Sequence, residues 1–291
     1  MSQAVIGIIG GSGLYQMDGL EDKEEKVIVT PFGFPSDAII LATLSGLRIA
    51  FIPRHGRKHS VTPTEVNYRA NIWALKSLGC KYVISVTAVG SLCQEMAPGS
   101  LAVVAQIIDK TYARNATFFG NGIVAHTPLG RPTCPVFNKI VTDAITAGTY
   151  GDFKVHEKAT LVTMEGPAFS TQAESHANRR MGGDLIGMTS ATEVKLVNEA
   201  SMASLVIGLV TDYDSWSDEH DHVDVGLVME TMKTNALHAQ VIIKDVVKKI
   251  AENQFDSPAH NALATAIMTK KEDIPHNTWK SLEVIIGSYF Q

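Results

Sequence analysis

The chain has 291 residues, 45% of them hydrophobic and 19% charged, with 25 lysines and arginines against 30 aspartates and glutamates for a formal net charge of −5. That is the balance of a globular protein with a sizeable core. No basic cluster exceeds Arg57-Lys58 or Lys248-Lys249, which argues against nucleic acid as a partner, and apolar runs such as 203–210 are too short to cross a bilayer. No cationic stretch precedes the first apolar run, so no signal peptide is expected. The three cysteines, Cys80, Cys93 and Cys134, lack Cys-x-x-Cys spacing and read as reduced packing residues of a cytoplasmic protein.

The first organised stretch is an apolar run, Val5 to Ile9, that passes straight into Gly10-Gly11-Ser12-Gly13. It predicts a buried strand that delivers backbone N–H groups and the Ser12 hydroxyl to an anion, with glycine supplying φ > 0. Neither a P-loop nor a dinucleotide fingerprint fits: the lysine of the first and the third glycine of the second are missing. Strands are then predicted over 26–30, 38–44 and 47–53, followed by a cationic loop, Arg54-His55-Gly56-Arg57-Lys58-His59. A helix is predicted over 66–78, capped by Gly79, and then a short strand over 82–86 ending in Thr87-Ala88-Val89-Gly90-Ser91.

Further on come a strand over 101–108, a long loop over 113–134, a helix over 137–147 and a strand over 159–164 ending in Glu165-Gly166-Pro167. A helix over 172–181 precedes a short strand over 185–188, a helix over 192–203 and a last core strand over 204–210, ending in Thr211-Asp212-Tyr213-Asp214. The longest helix is predicted over 225–249, and no repeat or linker divides the chain. The expectation is one α/β domain over 1–291 with a mixed or largely parallel sheet, its pattern weakest in the tail from about residue 251.

Ligands of such sheets sit beyond the carboxyl ends of the strands. There the sequence collects Ser12, Arg54, His55, Thr87, Ala88, Glu165, Met188, Thr189, Asp212 and Asp214. Hydroxyls and cations suit an oxyanion. A buried aspartate has its neutral form favoured and can serve as a proton donor, although Asp212 and Asp214 also fit an Asx turn or a helix cap. His55 and His59 are broken by Gly56, so no metal pair is expected; Glu219-His220-Asp221-His222 reads as an acidic surface loop. No Gly-x-Ser-x-Gly elbow occurs.

Taken together, Ile8-Ile9-Gly10-Gly11-Ser12-Gly13-Leu14, Pro53-Arg54-His55-Gly56, the run Asn67 to Leu75, Thr87 to Leu92, Glu165-Gly166-Pro167, Met188-Thr189 and Thr211 to Trp216 resemble the methylthioadenosine branch of the trimeric purine nucleoside phosphorylases. The resemblance runs in order to about Lys249. It implies a single nucleoside phosphorylase-like domain with a mixed central sheet flanked by helices. It also implies a homotrimer, inorganic phosphate as co-substrate, and no metal or organic cofactor.

Carried over by position, the resemblance gives phosphate to Ser12, Arg54, His55, Thr87, the Ala88 N–H and Thr189. Met188 would lie along the ribose and Phe169 against the base, with Asp212 and Asp214 on the N7 and 6-amino edge as the catalytic carboxyls. Val225, Val228 and Met229 would line the 5′ pocket, closed by His126 and Ile285 of a neighbouring subunit. Relatives that prefer 6-oxopurines carry asparagine near Asp212 and histidine at Val225, so aspartate and valine here favour adenine with an apolar 5′ group. The chain departs from the usual pattern at Ser12 (commonly threonine), Ala168 (often arginine) and Thr192 (usually proline). The implied activity is phosphorolysis of 5′-methylthioadenosine. Two alternatives remain open: a phosphorylase of 6-oxopurine nucleosides or methylthioinosine, and a purine or phosphate binder without turnover.

Overall fold

A computed structural model of the chain describes residues 3–11, 14, 16–151, 153–217 and 225–290, with the side chains of Val225 and Leu227 outside the description. The strands are β1 (Ile6–Gly10), β2 (Glu21–Lys26), β3 (Ile39–Leu44), β4 (Leu47–Pro53), β5 (Tyr82–Ser91), β6 (Leu101–Asp109), β7 (Val155–Thr163), β8 (Leu185–Gly187) and β9 (Ala203–Tyr213). The helices are α1 (Tyr68–Ser77), α2 (Pro135–Thr146), α3 (Gln172–Arg180), α4 (Ser190–Glu199), α5 (Val225–Glu252) and α6 (His276–Ile286). The strands form one mixed sheet in the order β2-β3-β4-β1-β5-β8-β7-β6-β9.

That order hides a closure. β9 pairs antiparallel with β6 and parallel with β5, and β5 also pairs with β8. So β5, β8, β7, β6 and β9 close into a ring, and β5 belongs both to the ring and to the open sheet. The ring interior is filled by Val89, Ala102, Val104, Leu161, Leu185, Val206 and Val210. Gly208 and Gly187 lie where a Cβ would stand 3.1 and 3.3 Å from Val89, which is why glycine interrupts these apolar strands.

The open sheet is buried on both faces, as continuous apolar strands require. Ile6, Ile8, Phe51, Ile84 and Val86 pack with α2 and α5 through Phe137, Ile242 and Val246. Ile9, Ala50, Ile52 and Val83 pack on the other face against Ile72 and Leu75 of α1, Leu196 of α4, and Leu282 and Ile285 of α6. Gly7 faces α1 so closely that a Cβ would stand 2.6 Å from Leu75 Cδ1.

Several boundaries move. The strand expected over 26–30 is instead β2, the acidic Glu21–Lys26, which is a solvated edge pairing antiparallel with β3; Val27 and Val29 are exposed. Backbone pairing with β3 decides here, not apolar content: an edge strand needs one partner and tolerates charge. β5 does not stop at Val86 but runs on to Ser91, because β9 offers it a partner as far as Tyr213. α4 begins at Ser190 and ends at Glu199, and Ala203 opens β9. The tail is ordered: α6 buries Leu282, Ile285 and Ile286.

The long connection over 113–134 is fastened rather than free. Glu199, at the end of α4, accepts hydrogen bonds from Thr117 Oγ1 and Phe118 N, both at 2.7 Å. Burial lifts its carboxyl from 4.5 to about 7, with those two donors and the Lys195 charge offsetting part of the effect. A carboxyl whose folded pKa is raised contributes stability below its unfolded pKa, and that contribution is lost as pH rises through about 7. Chemical unfolding of the unmodified protein is therefore expected to show stability falling between about pH 5 and 8. In Glu199→Gln that fall should shrink by up to about 3 kcal/mol; parallel pH dependences for the two proteins would contradict the assignment.

Candidate active site

The parallel strands β4, β1, β5 and β9 all end on one edge of the sheet. Arg54 follows β4 there and turns inward: its N–H donates to Gly10 O at 3.1 Å, and its side chain is 4% exposed. The guanidinium is met by Glu193 of α4, whose side chain is 2% exposed. Arg54 Nε donates to Glu193 Oε1 at 2.5 Å, and Nη2 donates to Glu193 Oε2 at 3.1 Å and to Ser85 Oγ at 2.9 Å. Nη1 donates to Val86 O at 3.0 Å, and the Ser85 hydroxyl donates in turn to Glu193 Oε2 at 2.5 Å.

Of the five N–H donors of a guanidinium, these bonds use all but one, on Nη1. Arg54 is thus held rigidly and its charge is balanced in place. Ser85 and Thr87 alternate with Ile84 and Val86 along β5, so both face the side of the sheet that carries α4. Thr87 is buried within the strand rather than placed in a turn beyond it.

Thr189 is the N-cap of α4 and is 3% exposed, yet its Oγ1 has no hydrogen-bond partner among the described residues. The neighbouring Ser190 and Thr192 hydroxyls are buried in the same condition. Buried hydroxyls normally find a partner, and orphans at a helix N-terminus are donors that an anion can satisfy. β8 runs antiparallel to β5, with Gly187 packed on Ala88, so Met188 and Thr189 lead back alongside Ala88.

His55 Nδ1 lies 2.8 Å from Val61 O. A carbonyl can only accept, so Nδ1 carries the proton and Nε2 keeps its lone pair. Burial and then the Arg54 cation pull this imidazole down to about 4, so it is neutral near pH 7. The His59 ring packs nearby at a tilt of 38°, its centroid 4.8 Å from that of His55, and no group of three candidate metal ligands stands together among the described residues.

The far end of β5 is acidic. A register shift between Val89 and Gly90 sets Gly90 opposite Asp212. A Cβ on Gly90 would stand 2.9 Å from Asp212 Oδ1 and 3.3 Å from Asp214 Cβ, so both aspartates crowd the one position left bare for them. Burial raises the pKa of Asp212; the bond from Thr211 Oγ1 offsets part of this and the Asp214 charge adds to it. Burial likewise raises that of Asp214, against the Ser175 and Ser170 hydroxyls, and its Oδ2 has no partner among the described residues.

Two expectations are corrected by what surrounds them. Glu165 is not available to a ligand: Thr64 Oγ1, Tyr112 N, Ala113 N and Arg114 Nε all donate to it. Burial opposes its ionisation, but these donors outweigh that and hold the carboxyl at about 2. Ile285 is 1% exposed inside the core of its own chain, against α1 and α4, and has no surface to offer a neighbouring subunit.

The glycines after β1 also act differently from expectation. Neither Gly10 nor Gly11 has a positive φ, and a Cβ on Gly10 would stand 2.4 Å from Leu14 Cδ1, so Gly10 gives room rather than a left-handed turn. Ser12, Gly13 and the 219–222 stretch lie outside the described residues, as does the side chain of Val225.

Arg114, Ser85 and Glu193 are parts of the site that sequence reasoning missed. Arg114 donates to the carbonyls of Met188 and Glu165 and to the Tyr68 hydroxyl, fixing Met188 where its Sδ packs on Gly166. It sits in the loop over 113–134, where no local pattern distinguishes it. Phe169 is exposed, and its loop is tied to the Asp214 segment by Ser215 Oγ donating to Ser170 O at 2.8 Å. Val228 is half-buried and Met229 exposed on the first turn of α5, and His126 is exposed, its N–H donating to Ala266 O.

Residues 5–248 match the family model of the phosphorylase superfamily. An S-methyl-5′-thioadenosine phosphorylase from Synechocystis is 48% identical over 290 residues, covering 100% of this chain and 89% of the relative. The one from Chloroflexus aurantiacus is 48% identical over 291 residues, covering 100% of both. Among solved structures, a methylthioadenosine phosphorylase from an antarctic soil metagenomic library superposes with a TM-score of 0.93 at 45% identity, over 98% of this chain and 99% of that one. The methylthioadenosine phosphorylase of Schistosoma mansoni in complex with adenine gives 0.81 at 34% identity, over 86% of this chain and 93% of that one. The fold and the full-length kinship agree: the chain belongs to the phosphorylase superfamily and, within it, to the S-methyl-5′-thioadenosine phosphorylase family.

Proposed function

We propose that this chain catalyses the reversible phosphorolysis of 5′-methylthioadenosine, yielding adenine and 5-methylthioribose 1-phosphate. The observation that carries the reading is Asp212: a carboxyl pushed towards its neutral form by burial, beside Gly90 on the same strand that brings Thr87 to the Arg54 end of the crevice. The family supports the reaction, and the disposition of side chains supports the roles that follow.

Phosphate is held by the free Nη1–H of Arg54, the hydroxyls of Ser12, Thr87 and Thr189, and the Ala88 N–H, with the N-terminus of α4 behind it. His55 enters neutral, so its Nε2 accepts from a protonated phosphate oxygen. Phe169 covers the base, Met188 the ribose, and Val225, Val228 and Met229 the methylthio group. His126 reaches the pocket of a neighbouring subunit in a homotrimer. Phosphate is the co-substrate, and the reaction calls on no metal or organic cofactor.

Adenine is a poor leaving group as an anion. Asp212, protonated, delivers a proton to N7 as the N-glycosidic bond breaks, while Asp214 accepts from the 6-amino group. Positive charge grows on the ribosyl ring. The phosphate held beneath the anomeric carbon stabilises that charge and then attacks. A 6-carbonyl oxygen would face carboxyl oxygens instead of donating to them, so adenine is preferred over hypoxanthine.

Purified protein given 5′-methylthioadenosine should release adenine only when inorganic phosphate is added; equal release without phosphate would make it a hydrolase and end this reading. Because the acid form of Asp212 does the work, kcat should fall as pH rises through its pKa. Asp212→Asn should cost roughly 10²–10⁴-fold in kcat and remove that alkaline limb. A variant that keeps both the parent's rate and its pH profile would take Asp212 out of the proton transfer.

A further inference from the structure

The buried ion pair at the phosphate end poses a question that the reaction itself does not answer. A cation meant to hold a phosphate is already paired, bidentate, with a carboxylate 139 residues further along the chain. We propose that Glu193 is a positioning residue for the phosphate step: it fixes the Arg54 guanidinium in one orientation, with a single Nη1–H directed to the oxyanion, and limits how tightly the ground-state anion is held. This inference rests on the phosphate role of Arg54 proposed above.

Three features of the structure support it. Both partners are almost wholly buried, so the pair is not a screened surface contact whose geometry drifts. The third corner, Ser85, accepts from Arg54 and donates to Glu193, closing a triangle that leaves the guanidinium no rotational freedom. Val86 O holds Nη1 from the opposite side. Finally, Glu193 lies in the first turn of α4, the helix whose N-cap is Thr189. The residue that orients Arg54 and the hydroxyl that faces the same anion therefore ride on one rigid element, so their separation is set by the helix.

The chemical consequence follows from differential binding. An unpaired guanidinium in a dry crevice would clamp phosphate in the ground state, and equal tightening of ground and transition states adds nothing to kcat. With its charge balanced by Glu193, Arg54 gives one directed hydrogen bond and leaves the phosphate oxygens free to meet the charge that develops on the sugar. Replacing Glu193 by glutamine puts an N–H group where Arg54 donates. The guanidinium must then tilt, and it carries an unbalanced charge towards the anion.

The test measures kcat, the KM for phosphate and for 5′-methylthioadenosine, and the dissociation constant of sulfate, which binds without reacting, in the parent and in Glu193→Gln. The expected result is a fall in kcat of about 10²-fold, the size of effect that a misplaced reactant produces, with sulfate binding unchanged or tighter and the nucleoside KM unchanged. A kcat within two-fold of the parent overturns the proposal. So does a loss carried wholly by a raised KM for phosphate with weakened sulfate binding. Should Glu193→Gln fail to fold, Ser85→Ala keeps the ion pair and removes the third corner. It should lower kcat by roughly 2–12-fold, the worth of one hydrogen bond, without weakening sulfate, and an unchanged kcat overturns the proposal there too. If the parent itself releases no adenine with phosphate, the proposed reaction fails while the sulfate titration still judges the role of Glu193.

Discussion

One strand has to serve two architectures, and the site exists because it does. β5 is a central strand of the open sheet, beside β1, and a stave of the closed ring, between β8 and β9. Its middle supplies Ser85 and the Val86 carbonyl to Arg54, and its far end supplies bare backbone at Gly90 for two carboxyls. Between them lie Thr87 and Ala88. The rise of a strand, about 3.3 Å per residue, therefore sets the separation between the proposed anion seat and the proposed base edge. The connection over 113–134 is secured separately, at Arg114 by Glu165 and at Thr117 and Phe118 by Glu199.

Electrostatically the candidate site is close to balanced. Arg54 is paired with Glu193, His55 is pulled towards neutrality by burial and by that same arginine, and Asp212 and Asp214 are pushed towards their protonated forms by burial. What remains for an oxyanion are dipoles: one guanidinium N–H, buried hydroxyls, and a helix N-terminus. Preorganised dipoles of this kind stabilise charge where it develops without having to reorient, and their worth grows as water is excluded. The ionisable groups thus act through geometry and proton affinity more than through net charge.

Much of this was legible from the residues. The order of strands and helices, the cationic loop after β4 and the paired aspartates at the end of the last core strand follow from pattern and spacing. The misses share a cause, which is that the decisive partner lies far away in the chain. Nothing local says that the acidic 21–26 segment will pair with Ile39–Leu44, or that β5 continues past Val86 because β9 accompanies it. Glu165 was read as a free ligand because saturation is a property of the neighbours, here Thr64, Tyr112 and Arg114, and nothing local shows that Ser85 and Glu193 will fix the Arg54 guanidinium. Glu193 carries no local mark that sets it apart from any other first-turn acid of a helix. Ile285 shows the reverse error, a site residue by resemblance that its own amphipathic helix buries.

The central claim is spatial, that one strand carries both the anion seat and the acidic edge of a single crevice. It is tested most directly by a crystal structure of the protein with sulfate and adenine bound together. The account predicts sulfate within hydrogen-bond reach of Arg54 Nη1, Thr87 Oγ1 and Thr189 Oγ1, and adenine N7 facing Asp212 in the same cavity. Sulfate and adenine bound in separate cavities, or Arg54 and Asp212 opening onto different surfaces, would contradict it.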